Sequence, residues 1–434
     1  MAATKNTRAI ENADLVRNAE SRRSKVLAQT LAKVQEGIAL DDAAGNIRVF
    51  GPWARELHYV NQHIAVPQVE VDKAAEAYND VANHLVKKLK WPNEAIKVLP
   101  QGSTSTQTLI RSPGNDKFDI DAVCQVDISR ISAQDPMRFF KTIGDALTEY
   151  SATAKKRCWR LPFNGERFYL EFTPSVPLEK ASSQDLDTMA PLYRPDQEYI
   201  GTALAVVDTP TEKWKTSNPA GFTKWVDDTS KRKLIRELIA EAADSMGKSA
   251  SNVSPVPDQD VNISDTLRVA IRLFKRHRDM CARRSLIGKE FQPISIIIVT
   301  LLTQCYAGLH DLGRSYSHPV QLLVELAELI RDMVPEVDGE FRVDNPTVPG
   351  ENFAERWNSD AGQRQTTFRT WCDILAADMR TILAAQNEQE IRSRVRDVFG
   401  CPPDSSRPNG SGGSGGTKTA HRPPPPAPIT SGLA

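Results

Sequence analysis

Hydrophobic residues in this chain recur at every second position in short runs between Ile96 and Thr173, and at every third or fourth position from about residue 228 to residue 399. The first period belongs to a pleated strand with one buried face and the second to an amphipathic helix, so a single layer architecture cannot serve both halves. The spacing predicts strands around Ile96–Leu99, Phe118–Val126, Lys156–Leu161 and Arg167–Thr173, the last two joined by a hairpin turn at Asn164-Gly165. A helix over 69–90, stopped by Trp91-Pro92, precedes them, and another over 136–150 interrupts them. A more polar helix is expected over 12–37, and helices over 228–246, 264–285, 293–307, 319–333, 362–385 and 387–399 fill the second half. The expected fold is therefore α+β, in two domains. Residues 1–185 carry a mixed sheet with helices, and residues 186–400 form an all-α lobe. Residues 401–434, rich in Gly, Ser and Pro with a four-proline run, bury too little apolar area to fold and are expected to be a disordered tail.

The chain has 434 residues, 40% hydrophobic and 25% charged, enough for two domains with cores of their own. Lys+Arg and Asp+Glu both number 55, which removes any general attraction to nucleic acid or an anionic membrane and makes a polyanion site a local matter. No apolar run reaches the roughly 18 residues of a membrane span, and the opening MAATKNTRAIENADLVRN lacks the apolar core of a signal peptide, so a cytoplasmic protein without membrane association is expected. The six cysteines are scattered, with no C-x-x-C pair or Cys/His cluster, and read as reduced thiols rather than zinc ligands.

The segment FDIDAV sets Asp119 and Asp121 among Phe118, Ile120, Ala122 and Val123. Residues two apart on a strand share a face, so both carboxylates project one way while Phe118, Ile120 and Ala122 project the other. Two adjacent like charges repel, and a divalent cation between them removes the repulsion. Upstream, Leu99-Pro100-Gln101-Gly102-Ser103 leaves a strand and enters a Ser/Thr-rich turn, where a glycine lets the backbone approach a ligand and free N–H groups with a serine hydroxyl can hold phosphate. Downstream, RFYLEFTP places Glu171 on the polar face of a well-patterned strand. Singly, each feature has an ordinary reading: a solvated edge strand, a loop glycine, an acid facing water. Together and in this order, they fit two Mg²⁺ or Mn²⁺ ions ligated by three carboxylates beside a phosphate cradle.

Gly102-Ser103, Asp119-Ile120-Asp121 and Glu171, three residues before Pro174, follow the motif order of the DNA polymerase β-like nucleotidyltransferases. WKTSNPAGFTKWV (214–226), LFKRHRD (273–279), QPISIIIVTLL (292–302) and NPTVPGENFAERW (345–357) resemble the helical half of the bacterial cGAS/DncV-like nucleotidyltransferases, the CD-NTases, over roughly residues 50 to 400. The resemblance implies a nucleotidyltransferase lobe packed on an all-α lobe, nucleotides in the cleft between them, and synthesis of cyclic di- or trinucleotide messengers in anti-phage (CBASS) signalling. It implies Asp119, Asp121 and Glu171 as catalytic metal ligands for two Mg²⁺ or Mn²⁺ ions. It also implies Gln101, Gly102 and Ser103, with Lys275 and Ser295 from the helical lobe, as nucleotide-binding residues. The family's third acid is often Asp; Glu171 here carries one methylene more. Lys275 lies with Arg268, Arg272 and Asp279 on one polar helical stripe, which would ordinarily be a solvated face. Ser295 follows Pro293 at a helix start, where capping is the ordinary role.

The partners implied are NTPs, ATP among them, and an effector activated by the cyclic product. The tail ending Ser-Gly-Leu-Ala resembles tails conjugated by a ubiquitin-activating-like ligase. Zinc-dependent DNA sensing is not expected from the cysteine spacing. Two other readings share these residues: a linear 2′-5′ oligoadenylate or RNA-tailing transferase, and a catalytically silent nucleotide-binding scaffold.

Overall fold

The alternating segments assemble into one seven-stranded mixed sheet in the computed structural model, which describes residues 5–21, 51–114, 116–128, 135–181, 198–235, 256–259, 261–262, 264–316 and 319–402. The strands are Ile96–Gln101 (β1), Phe118–Val126 (β2), Thr153–Ala154 (β3), Trp159–Pro162 (β4), Phe168–Pro177 (β5), Leu204–Asp208 (β6) and Lys213–Ser217 (β7). Their order is β1-β2-β5-β4-β3, with β6 pairing the far end of β5 and β7 pairing β6. At the centre, β2 and β5 run parallel, Phe118 opposite Phe168 through Gln125 opposite Ser175; β1 and β4 flank them antiparallel.

Helices sort themselves by which apolar stripe they carry. Before residue 150 they are Lys5–Ser21 (α1), Gly51–Ile64 (α2), Gln68–Leu89 (α3), the single turn Gly102–Ser105 (α4) and Pro136–Ala146 (α5). Along α3, Val71, Ala74, Tyr78, Val81, Ala82 and Leu85 are buried at helical spacing, and the helix ends at Lys90 in the left-handed conformation (φ 53) before Trp91-Pro92. At the start of α5, Asp135 accepts a hydrogen bond from the Arg138 backbone N–H at 2.7 Å, with Pro136 in the first turn. Together α3 and α5 cover the sheet face formed by Ile120, Ala122, Cys124, Leu170 and Phe172. The opposite face, with the acids, is left toward the second lobe.

That second lobe has a separate core built by Pro219–Ser230 (α6), Thr266–Arg283 (α7), Ser295–Asp311 (α8), Pro319–Leu329 (α9), Gln363–Leu383 (α10) and Glu388–Phe399 (α11). Two cores support the bilobed α+β expectation, but the chain is divided between them differently from the sequence-based boundaries. Ile10 and Ala13 of α1 and Leu57, Val60 and Ile64 of α2 join the helical core rather than the sheet lobe. Past residue 185, β6 and β7 still belong to the sheet. The physical reasons are local. Every residue of β6 is buried, so it shows no alternation, and the buried face of α2 includes Glu56 and Asn61, which hide its helical period. Glu56 is paired with Arg392 and Arg396 of α11 at 3.0 Å each, and Asn61 donates to the Val261 carbonyl at 3.0 Å. Expected helix in 22–37 and 236–246, and the tail over 403–434, lie outside the described residues.

Two of the family-like motifs are clasps between segments. Asn218 donates to the carbonyls of Tyr199 (2.8 Å) and Thr347 (2.9 Å) while its Oδ1 caps α6 through the Gly221 N–H; Thr216 reaches Pro349 O and Ser217 reaches Glu351. The SNP and NPTVPGEN stretches thus bind each other.

The helical core has one buried polar knot. Trp371 Nε1 donates to His277 Nδ1 at 3.1 Å, which leaves the His277 proton on Nε2, 3.1 Å from Asp378 Oδ2. All three side chains are buried, so truncating the imidazole takes one buried hydrogen bond from each of its two partners. His277→Ala is expected to cost about 3 kcal/mol, read as a lower urea midpoint at unchanged m-value. A loss of only a few tenths of that would show the knot to be energetically idle.

Candidate active site

On the face not covered by α3 and α5, β2 presents Asp119 and Asp121. Strand register sets four side chains in a row across the sheet: Gln101 of β1 opposite Asp121, Asp121 opposite Glu171 of β5, and Glu171 opposite Arg160 of β4. Asp119 lies opposite Tyr169. Burial in the cleft, and then the charge of Glu171, push the Asp119 carboxyl above its usual range even though the side chain is open to solvent there; Asp121 is raised further, by burial and then by Asp119 and Glu171. Two oxygen-donor acids with raised proton affinity on one face are the chemical complement of a hard divalent cation.

Where β1 ends, the chain turns sharply through α4. Gly102 sits at φ +64, and a Cβ there would stand 2.2 Å from Asp121 Oδ2, so the cradle backbone and the acid touch in a way only glycine permits. The turn is braced from within: Ser105 and Thr106 hydroxyls donate to Gly102 O at 3.1 and 3.0 Å, and Thr108 N–H donates to Ser103 O at 2.9 Å.

The polar stripe of α7 is not solvated. Arg268, Arg272 and Lys275 are all buried, and the stripe captures carbonyls of the loop that follows Gly102. Arg268 Nε donates to Thr106 O at 2.9 Å, Lys275 Nζ to Thr108 O at 2.8 Å, and Arg276 Nη1 to Arg111 O at 3.3 Å. Gln259 adds a bond to Thr104 O at 2.9 Å. Lys275 Nζ also donates to Ser103 Oγ at 2.8 Å, placing an ammonium on the cradle; burial, with Arg278 nearby, lowers its pKa to about 7. Ser295 is the first helical residue of α8 and not its N-cap, which is Ile294. Its hydroxyl accepts from Arg278 Nη1 at 3.2 Å, and the same guanidinium holds Pro293 O at 2.9 Å and Asp279 at 2.7 Å.

Six of the eight sequence-derived residues, Gly102, Ser103, Asp119, Asp121, Lys275 and Ser295, line one cavity of about 190 Å³ between the lobes, with Arg278, Asp279, Phe222, Leu109 and Ile110. The cavity is smaller than the ~300 Å³ of most small-molecule sites. Gln101 is not in the wall; its side chain donates to Thr173 Oγ1 at 3.0 Å and braces the sheet. Glu171 is also absent. Arg160 grips its Oε1 through Nε at 2.7 Å and Nη2 at 2.6 Å, and Cys158 Sγ donates to Oε2 at 3.3 Å. Among the described residues no three His, Cys, Asp or Glu side chains are placed to share one ion. The expected three-acid convergence therefore holds in register but not at the carboxylates: Asp119 and Asp121 fit a divalent cation, and Glu171 is turned to the arginine across from it.

Arg278 was within reach of sequence reasoning, standing one helical turn beyond Lys275 on the same stripe. Arg160 was not, because its partner is fixed only by β4–β5 register.

No protein-family model matches the chain. A curated relative, the c-di-GMP synthase of Roseivirga ehrenbergii, is 25% identical over 313 residues, 71% of this chain and 73% of that protein. The Bradyrhizobium diazoefficiens CD-NTase CdnG, solved in complex with GTP, shares the fold at TM-score 0.53 and 19% identity, covering 80% of this chain and 98% of that one. Escherichia coli MS115-1 CdnC, solved with ATP, does so at TM-score 0.52 and 12% identity over 80% and 97%.

The contact between Gly102 and Asp121 makes a sharp test. Gly102→Ala forces a side chain into the left-handed region and against Oδ2. We expect a stability loss of about 1–2 kcal/mol by thermal melting, with nucleotide turnover falling at least ~100-fold. Wild-type turnover in a folded variant would show the cradle to be elsewhere.

Proposed function

We propose that the chain is a bacterial cGAS/DncV-like nucleotidyltransferase, a divalent-cation-dependent synthase joining two or three nucleoside triphosphates into a cyclic oligonucleotide, as its similarity to a c-di-GMP synthase and its shared fold with CdnG support. The observation that carries this reading is one cavity in which the Gly102-Ser103 turn and Lys275 face Asp119 and Asp121. A donor triphosphate lies along that wall. Ser103 and the backbone N–H groups of the turn bind its oxygens, and Lys275 neutralises charge on it.

Reaction is attack by a 2′- or 3′-hydroxyl of the acceptor on the donor α-phosphorus. The new P–O bond forms as the bond to pyrophosphate breaks, and the hydroxyl proton leaves to solvent or a carboxylate. For a ring of two, the linear product then turns over and its remaining triphosphate is attacked in the same way, closing the ring with release of a second pyrophosphate; a ring of three takes one more such transfer and releases a third. Asp119 and Asp121 would hold Mg²⁺ or Mn²⁺, which when bound would supply Lewis acidity at the phosphates and lower the pKa of the attacking hydroxyl. The chain's own residues do the remainder: the cradle aligns the triphosphate, Phe222, Leu109 and Ile110 contribute apolar lining, and α7 and α8 bring Lys275 and Ser295 to the same cavity. GTP is the first substrate to test, since the curated relative is named for a guanylate product, and ATP the second. In this reading the product acts on a separate effector in anti-phage signalling.

Asp119→Ala combined with Asp121→Ala is expected to abolish product. The check is mass spectrometry after incubation with all four NTPs and Mg²⁺ or Mn²⁺, with a phosphatase step, because a ring has no terminal phosphate to lose. Product from the double variant, or only phosphatase-sensitive product from wild type, overturns the proposal.

Lys275 supplies a pH test. With a pKa of about 7 its side chain is largely neutral at pH 8, whereas a bound triphosphate favours the charged form. Binding of a nonhydrolysable NTP at pH 8 should therefore take up a proton, seen as a buffer-dependent calorimetric enthalpy, and should weaken as pH rises above 7. Lys275→Met should remove the uptake. Wild-type binding that is independent of buffer would refute the assignment.

A further inference from the structure

Glu171 and Arg160 face each other across β4 and β5, and the pair sits at the end of the row that contains Asp121. Both guanidinium donors converge on one oxygen, Oε1, at 2.7 and 2.6 Å, while the Cys158 thiol holds the other at 3.3 Å. The carboxylate is thus occupied on both oxygens. The arginine is the less confined partner: its side chain is 38% exposed against 19% for Glu171, and its guanidinium lies over the Tyr169 ring at 4.2 Å, a surface on which it can remain when the acid leaves.

A divalent cation at Asp119 and Asp121 competes with Arg160 for the same acid, and Arg160 opposes that cation by its charge as well. Resting on the divalent-cation reading above, we propose that Arg160 is a counter-ion latch: it holds Glu171 out of the metal set in the nucleotide-free protein, and the third carboxylate is released only when a cation arrives with a triphosphate. The longer Glu side chain suits this role. One extra methylene gives the carboxylate a second reachable partner on the neighbouring strand, which a shorter acid anchored at the same Cα reaches less easily. Arg160 is accordingly a positioning residue acting through Glu171.

The experiment is Mn²⁺ titration of the full chain by electron paramagnetic resonance, with and without a nonhydrolysable NTP, on wild type, Arg160→Met, Glu171→Gln and the double variant. In the nucleotide-free state Arg160→Met should bind Mn²⁺ about ten-fold tighter than wild type, the nucleotide should close most of that gap, and in the Glu171→Gln background the same arginine change should give only the smaller gain due to its charge. Arg160→Lys, which offers a single ammonium in place of the two-donor fork, should fall between, and serves if the Met variant does not fold. Unchanged or weaker Mn²⁺ binding in a folded Arg160 variant overturns the latch, as does a gain that is just as large with Glu171→Gln. If wild type makes cyclic product and binds Mn²⁺ but Arg160→Met is indistinguishable from it, only the latch falls. If wild type binds no Mn²⁺ under either condition, the nucleotidyltransferase reading falls first.

Discussion

A single buried ammonium ties this molecule together. Lys275 projects from the helical core onto Ser103 and the Thr108 carbonyl, both belonging to the loop that leaves the sheet. A charge so enclosed is costly unless its donors are used, and here they are spent across the lobe boundary. Arg268 and Arg276 repeat the same move on Thr106 and Arg111, so one face of α7 replaces solvent for a run of backbone carbonyls that no strand or helix could satisfy. The cavity exists because that loop is held; the loop is held because the cations of α7 are turned inward.

The acid row obeys a related constraint. Side-by-side carboxylates on a strand would be poor structural material, and their raised proton affinities register burial first and the charge of neighbouring acids second. A sheet keeps such a row only where something compensates. At one end Gly102 lets the backbone close in on Asp121, and at the other Arg160 takes up Glu171. The cations that oppose Asp119 and Asp121 are Lys275 and Arg160. Perturbed groups are thus concentrated on the one sheet face that is turned toward the helical lobe.

Motifs that are informative about kinship need not touch a ligand. The SNP and NPTVPGEN stretches are spent on each other, through Asn218, Thr216 and Ser217, and they fix how the loop after β7 meets the segment before α10. Buried Asn218 satisfies three backbone groups with one side chain, a demand on geometry as strict as any set by a substrate.

The sequence alone determined what is periodic and what is local. Strands β1, β2, β4 and β5, the helices from α7 onward, and the glycine and acids of the cleft were legible because alternation, helical spacing and the D-x-D and Gly-Ser pairs are properties of neighbours along the chain. Tertiary structure alone decided what depends on which elements meet. It gave α1 and α2 to the helical core, added β6 and β7 to the sheet, and turned a stripe that reads as solvated into a carbonyl clamp. It also moved Glu171 from the expected metal set to Arg160, since strand register chooses a side chain's cross-strand partner and no one-dimensional pattern encodes it.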